Sequence, residues 1–433
     1  MRCAAERTRR NPSRPSPLAS SLSFGCDNWL HLLIVSHSHG TIIYHIVLIC
    51  KEFSAMKYIL VVGDGMADMP VEALEGKTPL ETLACENMAR VGGGELYRFR
   101  SCPEGLPPGS DVAFLSLFGN DACACYTGRS PLEAAGLNAS LEAGDVCFRV
   151  NLVSIKDGKM ISHNGHNVSG DDARNKMAAL MNDAEFMRIA GDMRFTVTDT
   201  FRHVAILPGA AGEYPLTPPH DIAGEEIAGY LPPDARLRAL TLRSMEVLGD
   251  CQANCAWFWG AGTAASLKDF EATFGKKGFV VSAVPLVKGI ARLMGMEAPD
   301  FPFATGLLDT DYEAKARAVE EALDNGYDFA VLHVEAPDEA SHEGSLEDKM
   351  EAIRRLDERC IAPLLARRDD FRLMVLPDHY TLLSSRTHDA TPIPVALYDS
   401  REAAAPRPFT EKACAGVPVM EDPEDLMRVL FSK

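Results

Sequence analysis

The sequence carries no P-loop and no Gly-rich loop of the kinase kind, which argues against the usual ATP-binding folds. Positive charge is also scarce. Its 43 Lys and Arg stand against 61 Asp and Glu, giving a net charge of −18, which speaks against nucleic acid as a partner. The twelve cysteines include no matched CxxC set. Cys123-Ala-Cys125 and Cys251-Gln-Ala-Asn-Cys255 are single pairs, so reduced thiols in a cytoplasmic protein are expected rather than a disulfide scaffold. No internal repeat or long low-complexity run is evident.

What is present suits a globular chain with a sizeable core: 433 residues, 46% of them hydrophobic and 24% charged. That length exceeds what one core usually takes, and two domains are the natural expectation. Residues 1–55 stand apart, with six Lys or Arg against three acids. They begin Arg-, Pro- and Ser-rich and then run apolar from Trp29 to Cys50. Such a run could be a basic-flanked membrane anchor, but His31, His37, His39 and His45 interrupt it, and Met56-Lys57 stands directly before the first strand signal. An extension outside the fold is expected there, and no membrane partner.

Six metal-seeking side chains and one serine fall in an informative order: Asp64, Ser110, Asp338, His342, Asp378, His379 and His388. The apolar runs Lys57-Tyr-Ile-Leu-Val-Val-Gly, Phe329-Ala-Val-Leu-His-Val-Glu and Phe371-Arg-Leu-Met-Val-Leu-Pro read as buried strands, and each leads into a carboxylate. In an open α/β sheet the chemistry gathers outside the carboxyl ends of strands. Asp338 and His342 are four apart, a spacing that suits one face of a helical turn. A mixed oxygen and imidazole set suits Mn²⁺ or Zn²⁺, with Mg²⁺ or Co²⁺ also possible, better than Ca²⁺. Two such ions about 3.5–4 Å apart would neutralise a phosphate in transfer. Any one of these residues alone is better read as a surface or hydrogen-bonded group; their joint placement at strand ends is what carries weight. Ser110 stands at the entry of a helix expected to be amphipathic from Asp111 onward. Spacing alone favours a helix cap for it, although a helix N-terminus also favours an alkoxide or a phosphoserine.

In order along the chain, the segments Gly63-Asp-Gly-Met-Ala-Asp, Gly76-Lys-Thr-Pro-Leu-Glu, Pro108-Gly-Ser-Asp-Val-Ala, Thr127-Gly-Arg-Ser-Pro-Leu-Glu-Ala-Ala-Gly, Phe148-Arg-Val-Asn-Leu-Val, Pro219-His-Asp-Ile, Ala304-Thr-Gly, Pro337-Asp-Glu-Ala-Ser-His and Pro377-Asp-His resemble the archaeal-type 2,3-bisphosphoglycerate-independent phosphoglycerate mutases of the alkaline phosphatase superfamily. The resemblance covers most of the chain from Met56 onward. It implies an alkaline-phosphatase-like three-layer α/β/α domain with a smaller inserted α+β domain. It also implies a serine nucleophile, Ser110, and two divalent metal ions, Mn²⁺ first among them, with no 2,3-bisphosphoglycerate cofactor. One ion would be held by Asp64, Ser110, Asp378 and His379, the other by Asp338, His342 and His388. Arg129 and Lys288 would contact phosphate or bridge to the site, and His163 would serve the substrate.

The reaction so implied interconverts 3-phosphoglycerate and 2-phosphoglycerate through a phosphoserine. A domain that closes to keep water out is then expected. Because the ligands come from both ends of the chain, the middle reads as an insertion at 141–254, between a first catalytic segment at 56–140 and a second at 255–433. His166, His203 and His220 also fall in the insertion and rank below His163. The family pattern is departed from at His388-Asp-Ala-Thr-Pro, where Asp389 and Thr391 are exchanged, which puts in question the hydrogen bond that orients His388. Tyr380 and Ser130 replace smaller residues without removing a ligand. A homoserine-kinase-like phosphotransferase, a phosphatase of the same superfamily and a non-catalytic binding module are the alternatives. The oligomeric state is not legible.

Overall fold

The computed structural model describes residues 56–433 apart from Ala211, Ala403 and Lys433, together with the backbone of two strands further upstream. Those strands, Trp29–Ser38 and Thr41–Cys50, form an antiparallel ladder that pairs Trp29 with Cys50. The rest of the expected extension, 1–28, 39–40 and 51–55, lies outside the described residues. Among the described residues no helix is long and apolar enough to cross a membrane.

Within 56–433 the larger sheet has seven strands in the order Gly278–Val281, Phe329–Val334, Lys57–Gly63, Phe371–Leu376, Ile393–Asp399, Glu95–Phe99 and Val419–Met420. The first four run parallel, and Ile393–Asp399 turns antiparallel to Phe371–Leu376. Period-two alternation explains why helices cover both faces. Tyr58, Leu60 and Val62 point into a core shared with the helices Ser110–Leu117, Pro285–Leu293 and Asp425–Phe431, whereas Ile59 and Val61 point into the core against Glu86–Gly92, Tyr312–Asp324 and Leu346–Arg355. The result is a three-layer α/β/α arrangement. Lys57–Gly63 lies between Phe329–Val334 and Phe371–Leu376, so the carboxyl ends of three adjacent parallel strands open side by side.

A second, smaller sheet centres on Val146–Lys156, flanked by Arg202–Leu207 and Cys255–Thr263, with Arg194–Thr196 and Lys159–Ser162 beyond. The helices Gly170–Asn182, Ala184–Ala190 and Ala235–Leu248 pack on one face of it. Cys255–Thr263 departs from expectation: the stretch placed at the opening of the second catalytic segment is a strand that pairs with Val146–Lys156, so this sheet extends to Thr263 rather than ending at 254. Its burial on both faces accounts for this. Ala256 and Phe258 fill the core under the helices, and Cys255, Trp257 and Trp259 fill a second cluster opposite.

The helix Ser110–Leu117 also differs from its sequence reading. Asp111 to Leu117 are all buried, so it is enclosed rather than amphipathic, because it is wedged between the large sheet and Pro285–Leu293.

Candidate active site

Asp64 leaves the end of Lys57–Gly63, where its N–H donates to the Val334 carbonyl at 2.9 Å. Its Oδ2 accepts the Nε2–H of His333 at 2.9 Å, while its buried Oδ1 has no hydrogen-bond partner. The Oδ1 of Asp378 accepts the N–H groups of Gly65 at 3.1 Å and His379 at 2.8 Å, and its buried Oδ2 is likewise unpartnered. Gly65 has φ +61°, and a Cβ there would meet Thr381 Oγ1 at 2.5 Å and Asp338 Oδ1 at 2.7 Å. Glycine is what lets the turn lie this close to the carboxylates.

The unpartnered oxygens converge on one imidazole nitrogen. His379 Nε2 lies 3.1 Å from Asp378 Oδ2, 3.8 Å from Asp64 Oδ1 and 3.3 Å from Ser110 Oγ. Ser110 is the first helical residue after Gly109, and its hydroxyl faces His379 with no capping bond at this N-terminus. The cap favoured by spacing is therefore not made. On the other side of this group, Pro337 opens the helix Ala336–Glu343, which sets Asp338 and His342 one turn apart. His342 Nε2 is 3.3 Å from Asp338 Oδ2, and His388 Nε2 is 3.6 Å from Asp338 Oδ1. The sequence-expected residues Asp64, Ser110, Asp338, His342, Asp378, His379 and His388 are thus brought together.

Hydrogen-bond direction shows what this arrangement asks for. His342 Nδ1 meets the Arg386 carbonyl at 2.9 Å and His388 Nδ1 meets the Pro108 carbonyl at 3.2 Å. Carbonyls only accept, so both Nδ1 atoms carry the hydrogen. Were both rings neutral, two bare Nε2 lone pairs would face each other across 3.0 Å, in front of Asp338. That is repulsive unless a cation or a shared proton stands between them. Two triads, Asp338 with His342 and His388, and Asp64 with Asp338 and His379, place one ligand atom each within 4.8 Å of the others. The donor set fits two divalent ions, with Asp338 in reach of both. The exchanged Asp389 does not touch His388 Nδ1. It accepts the N–H and hydroxyl of Thr391, and the Pro108 carbonyl orients the ring.

The charges agree. Burial, then the nearby Asp378 and Asp338, pushes the Asp64 carboxyl well above its usual range. Burial would raise Asp338 too, but hydrogen bonds from His342 and His388 outweigh it and hold it well below. The Asp338 hydrogen bond lifts His342 to about 9, so with no ion bound a proton stands on the Nε2 that faces Asp338. Burial pushes the His379 imidazole down. Crowded buried carboxylates of this kind are costly without a compensating cation.

Arg129, in the first turn of Arg129–Gly136, donates Nε–H to Glu133 Oε1 at 2.9 Å. Arg149, on the central strand of the smaller sheet, sits 3.0 Å from Glu133 Oε2 and 4.2 Å above the Trp259 ring. Trp259 in turn meets His220, and His220 meets His163. Burial, then His220 and Arg202, pushes His163 down, which leaves it a neutral ring. Burial, then the nearby Glu339 and Asp338, lifts Glu335 to about 8 against the opposing charges of Arg202 of the smaller sheet and Lys315. Lys288 is not brought to the cluster. Its ammonium is paired with Asp300, and among the described residues no hydrogen bond or ion pair joins it to Ser110 or the carboxylates. His166 sits in a left-handed turn and His203 is buried within a strand.

Sequence reasoning missed His333, Arg149, Arg202 and Thr381. His333 and Arg149 left a signal, since each is an ionisable residue inside an otherwise apolar buried strand. Arg202 and Thr381 left none.

The sheet, its helical layers, the inserted α+β part and the cluster at the strand ends define a three-layer α/β/α protein with its candidate site at the strand ends. A solved Pyrococcus horikoshii protein shares this fold at 25% identity with a TM-score of 0.69, covering 87% of this chain and 97% of its own. A cofactor-independent phosphoglycerate mutase from Thermoplasma acidophilum shares it at 20% identity with a TM-score of 0.56, covering 87% and 99%. Residues 92–254 match the family model described as 2,3-bisphosphoglycerate-independent phosphoglycerate mutase. A protein of that name from Methanosarcina acetivorans is 41% identical over 372 residues, 81% of this chain and 92% of its own. A probable one from Geobacter sulfurreducens is 38% identical over 405 residues, 87% of this chain and all of its own. The chain belongs to the 2,3-bisphosphoglycerate-independent phosphoglycerate mutase family.

Proposed function

We propose that this chain interconverts 3-phosphoglycerate and 2-phosphoglycerate through a phosphoserine at Ser110, with two divalent ions and no 2,3-bisphosphoglycerate. The observation that carries the reading is the pair of buried, unpartnered oxygens, Asp64 Oδ1 and Asp378 Oδ2, gathered with His379 Nε2 beside the Ser110 hydroxyl. Asp64, Ser110, Asp378 and His379 would hold one ion, and Asp338, His342 and His388 the other. Mn²⁺ suits the mixed donors best, with Zn²⁺, Mg²⁺ or Co²⁺ as substitutes. Bound there, the ions would supply charge to a transferring phosphoryl group and acidity to a bound hydroxyl.

The chain's own residues do the rest. Ser110 Oγ gives up its proton and forms a bond to phosphorus as the bond from phosphorus to the substrate C3 oxygen breaks, and that oxygen takes up the proton. Glycerate stays bound, and its C2 hydroxyl then takes the phosphoryl group back from Ser110. Keeping the group on the protein removes the need for a bisphosphorylated cofactor. Arg129 and Arg149, held by Glu133, and Arg202 meet the substrate's anionic ends, and neutral His163 offers a hydrogen bond to glycerate. Lys288 would join them only on release from Asp300. Guanidinium groups here favour a phosphorylated acid over an amino alcohol such as homoserine, whose ammonium they would oppose. The smaller sheet, taken as a cap spanning 141–263, excludes water while Ser110 is phosphorylated. Unpaired cysteines, nine among the described residues, suit the reducing cytoplasm.

A coupled assay of the purified chain with 3-phosphoglycerate tests this reading. The wild type should form 2-phosphoglycerate with Mn²⁺ and lose that activity on chelation, and Ser110→Ala should form none. Release of free phosphate in place of 2-phosphoglycerate would make the chain a phosphatase instead.

A further inference from the structure

Thr381 is wholly buried at the centre of the cluster, although it is neither a carboxylate nor an imidazole. Its hydroxyl lies 2.6 Å from Asp338 Oδ1 and 3.1 Å from His379 Nδ1. These two contacts fix each other's direction. Ionised Asp338 only accepts, so the hydroxyl donates its one hydrogen there. Its oxygen is then free to accept, and His379 must supply the hydrogen from Nδ1. With Nδ1 protonated, the neutral His379 ring presents a bare Nε2 to Asp64 Oδ1, Asp378 Oδ2 and Ser110 Oγ.

The threonine itself is held in place. Lys349 Nζ donates to its carbonyl at 2.7 Å, its N–H donates to the Ala67 carbonyl at 3.3 Å, and Gly65 leaves no room for a Cβ above its hydroxyl.

We infer that Thr381 is a positioning residue that couples the two metal positions. The inference rests on the two-metal reading above. An ion on Asp338 keeps that carboxylate charged and turned toward Thr381, which keeps the His379 nitrogen bare for the other ion. An ion on His379 Nε2 keeps its hydrogen on Nδ1, which keeps the hydroxyl turned toward Asp338. Occupancy of either position thus prepares the other, through one hydroxyl and with no movement of the backbone.

The test uses the full chain stripped of metal by chelation and titrated with manganese chloride, alongside ¹⁵N NMR of the histidine rings in the stripped protein. The wild type should show His379 as the Nδ1–H tautomer and take up two Mn²⁺. Thr381→Val should lose that tautomer preference and weaken both Mn²⁺ affinities by about 10–100-fold, and Thr381→Ser should restore both. If Thr381→Val binds both ions as the wild type does, or weakens only one, the coupling is wrong. Should Thr381→Val fail to fold, an Nε2–H tautomer of His379 in the stripped wild type would overturn the inference by itself. A stripped wild type that takes up no Mn²⁺ would instead overturn the two-metal reading on which this rests.

Discussion

At the residue scale, Lys349 shows how a buried charge away from the unpartnered carboxylate oxygens is held. Lys349 and Asp68, both buried, form an ion pair at 2.8 Å, and Lys349 also donates to the carbonyls of Ala67 and Thr381. This lysine ties the turn after Lys57–Gly63 to the one after Asp378, so it fixes the spacing of Asp64 and Asp378. Lys349→Met would leave Asp68 buried and unpaired, at a cost of about 3–5 kcal/mol, measurable as a lowered urea midpoint. The gathering of the candidate ligand residues was legible from sequence because strand, turn and carboxylate follow one another within a few positions. Thr381 was not, and the role of His333 was not, because their partners Asp338, Asp64 and Ser282 come from a helix and loops far along the chain. Local spacing also favoured a cap for Ser110, and only the neighbouring His379 shows why its hydroxyl turns elsewhere.

At the scale of elements, register places partners opposite one another. Arg372 and Asp399 are direct partners across the antiparallel pair Phe371–Leu376 and Ile393–Asp399, with Nε and Oδ2 2.8 Å apart. Hydrogen bonds from Arg401, then Arg372, hold the Asp399 carboxyl well below its ordinary 3.8, against the upward push of burial. A depressed native pKa means the contribution is fully present above that ordinary value and fades as pH falls below it toward the native one. Asp399→Asn should therefore lower the unfolding midpoint near neutral pH and show a shallower acid loss than the wild type. Equal acid slopes for the two proteins would refute this. Strand identity was readable from apolar runs; strand partnership was not. Cys255–Thr263 is apolar enough to belong to either sheet, and its two buried faces, not its composition, assign it to Val146–Lys156.

At the scale of the whole chain from Met56 onward, the two sheets divide the labour. In the proposed reaction the larger one would present the carboxylates, imidazoles and Ser110, and the smaller one Arg149, Arg202 and His163. The separation of the candidate ligands in sequence suggested an insertion and Arg129 stood in a readable segment, but nothing local pointed to Arg202, which the sheet alone places. Arg149→Met should raise KM for 3-phosphoglycerate by at least about tenfold, the loss of one charge-assisted hydrogen bond, while the Mn²⁺ content stays unchanged; a lower Mn²⁺ content would mean that Arg149 supports the cluster and not the substrate. The central claim is that the phosphoryl group rests on Ser110. The most direct test is mass spectrometry of Mn²⁺-loaded protein mixed with 3-phosphoglycerate and quenched in acid during turnover. A phosphoryl group on the peptide that contains Ser110, absent after chelation, is the predicted result. Turnover to 2-phosphoglycerate by Ser110→Ala, or a phosphoryl group trapped on a different residue, would contradict it.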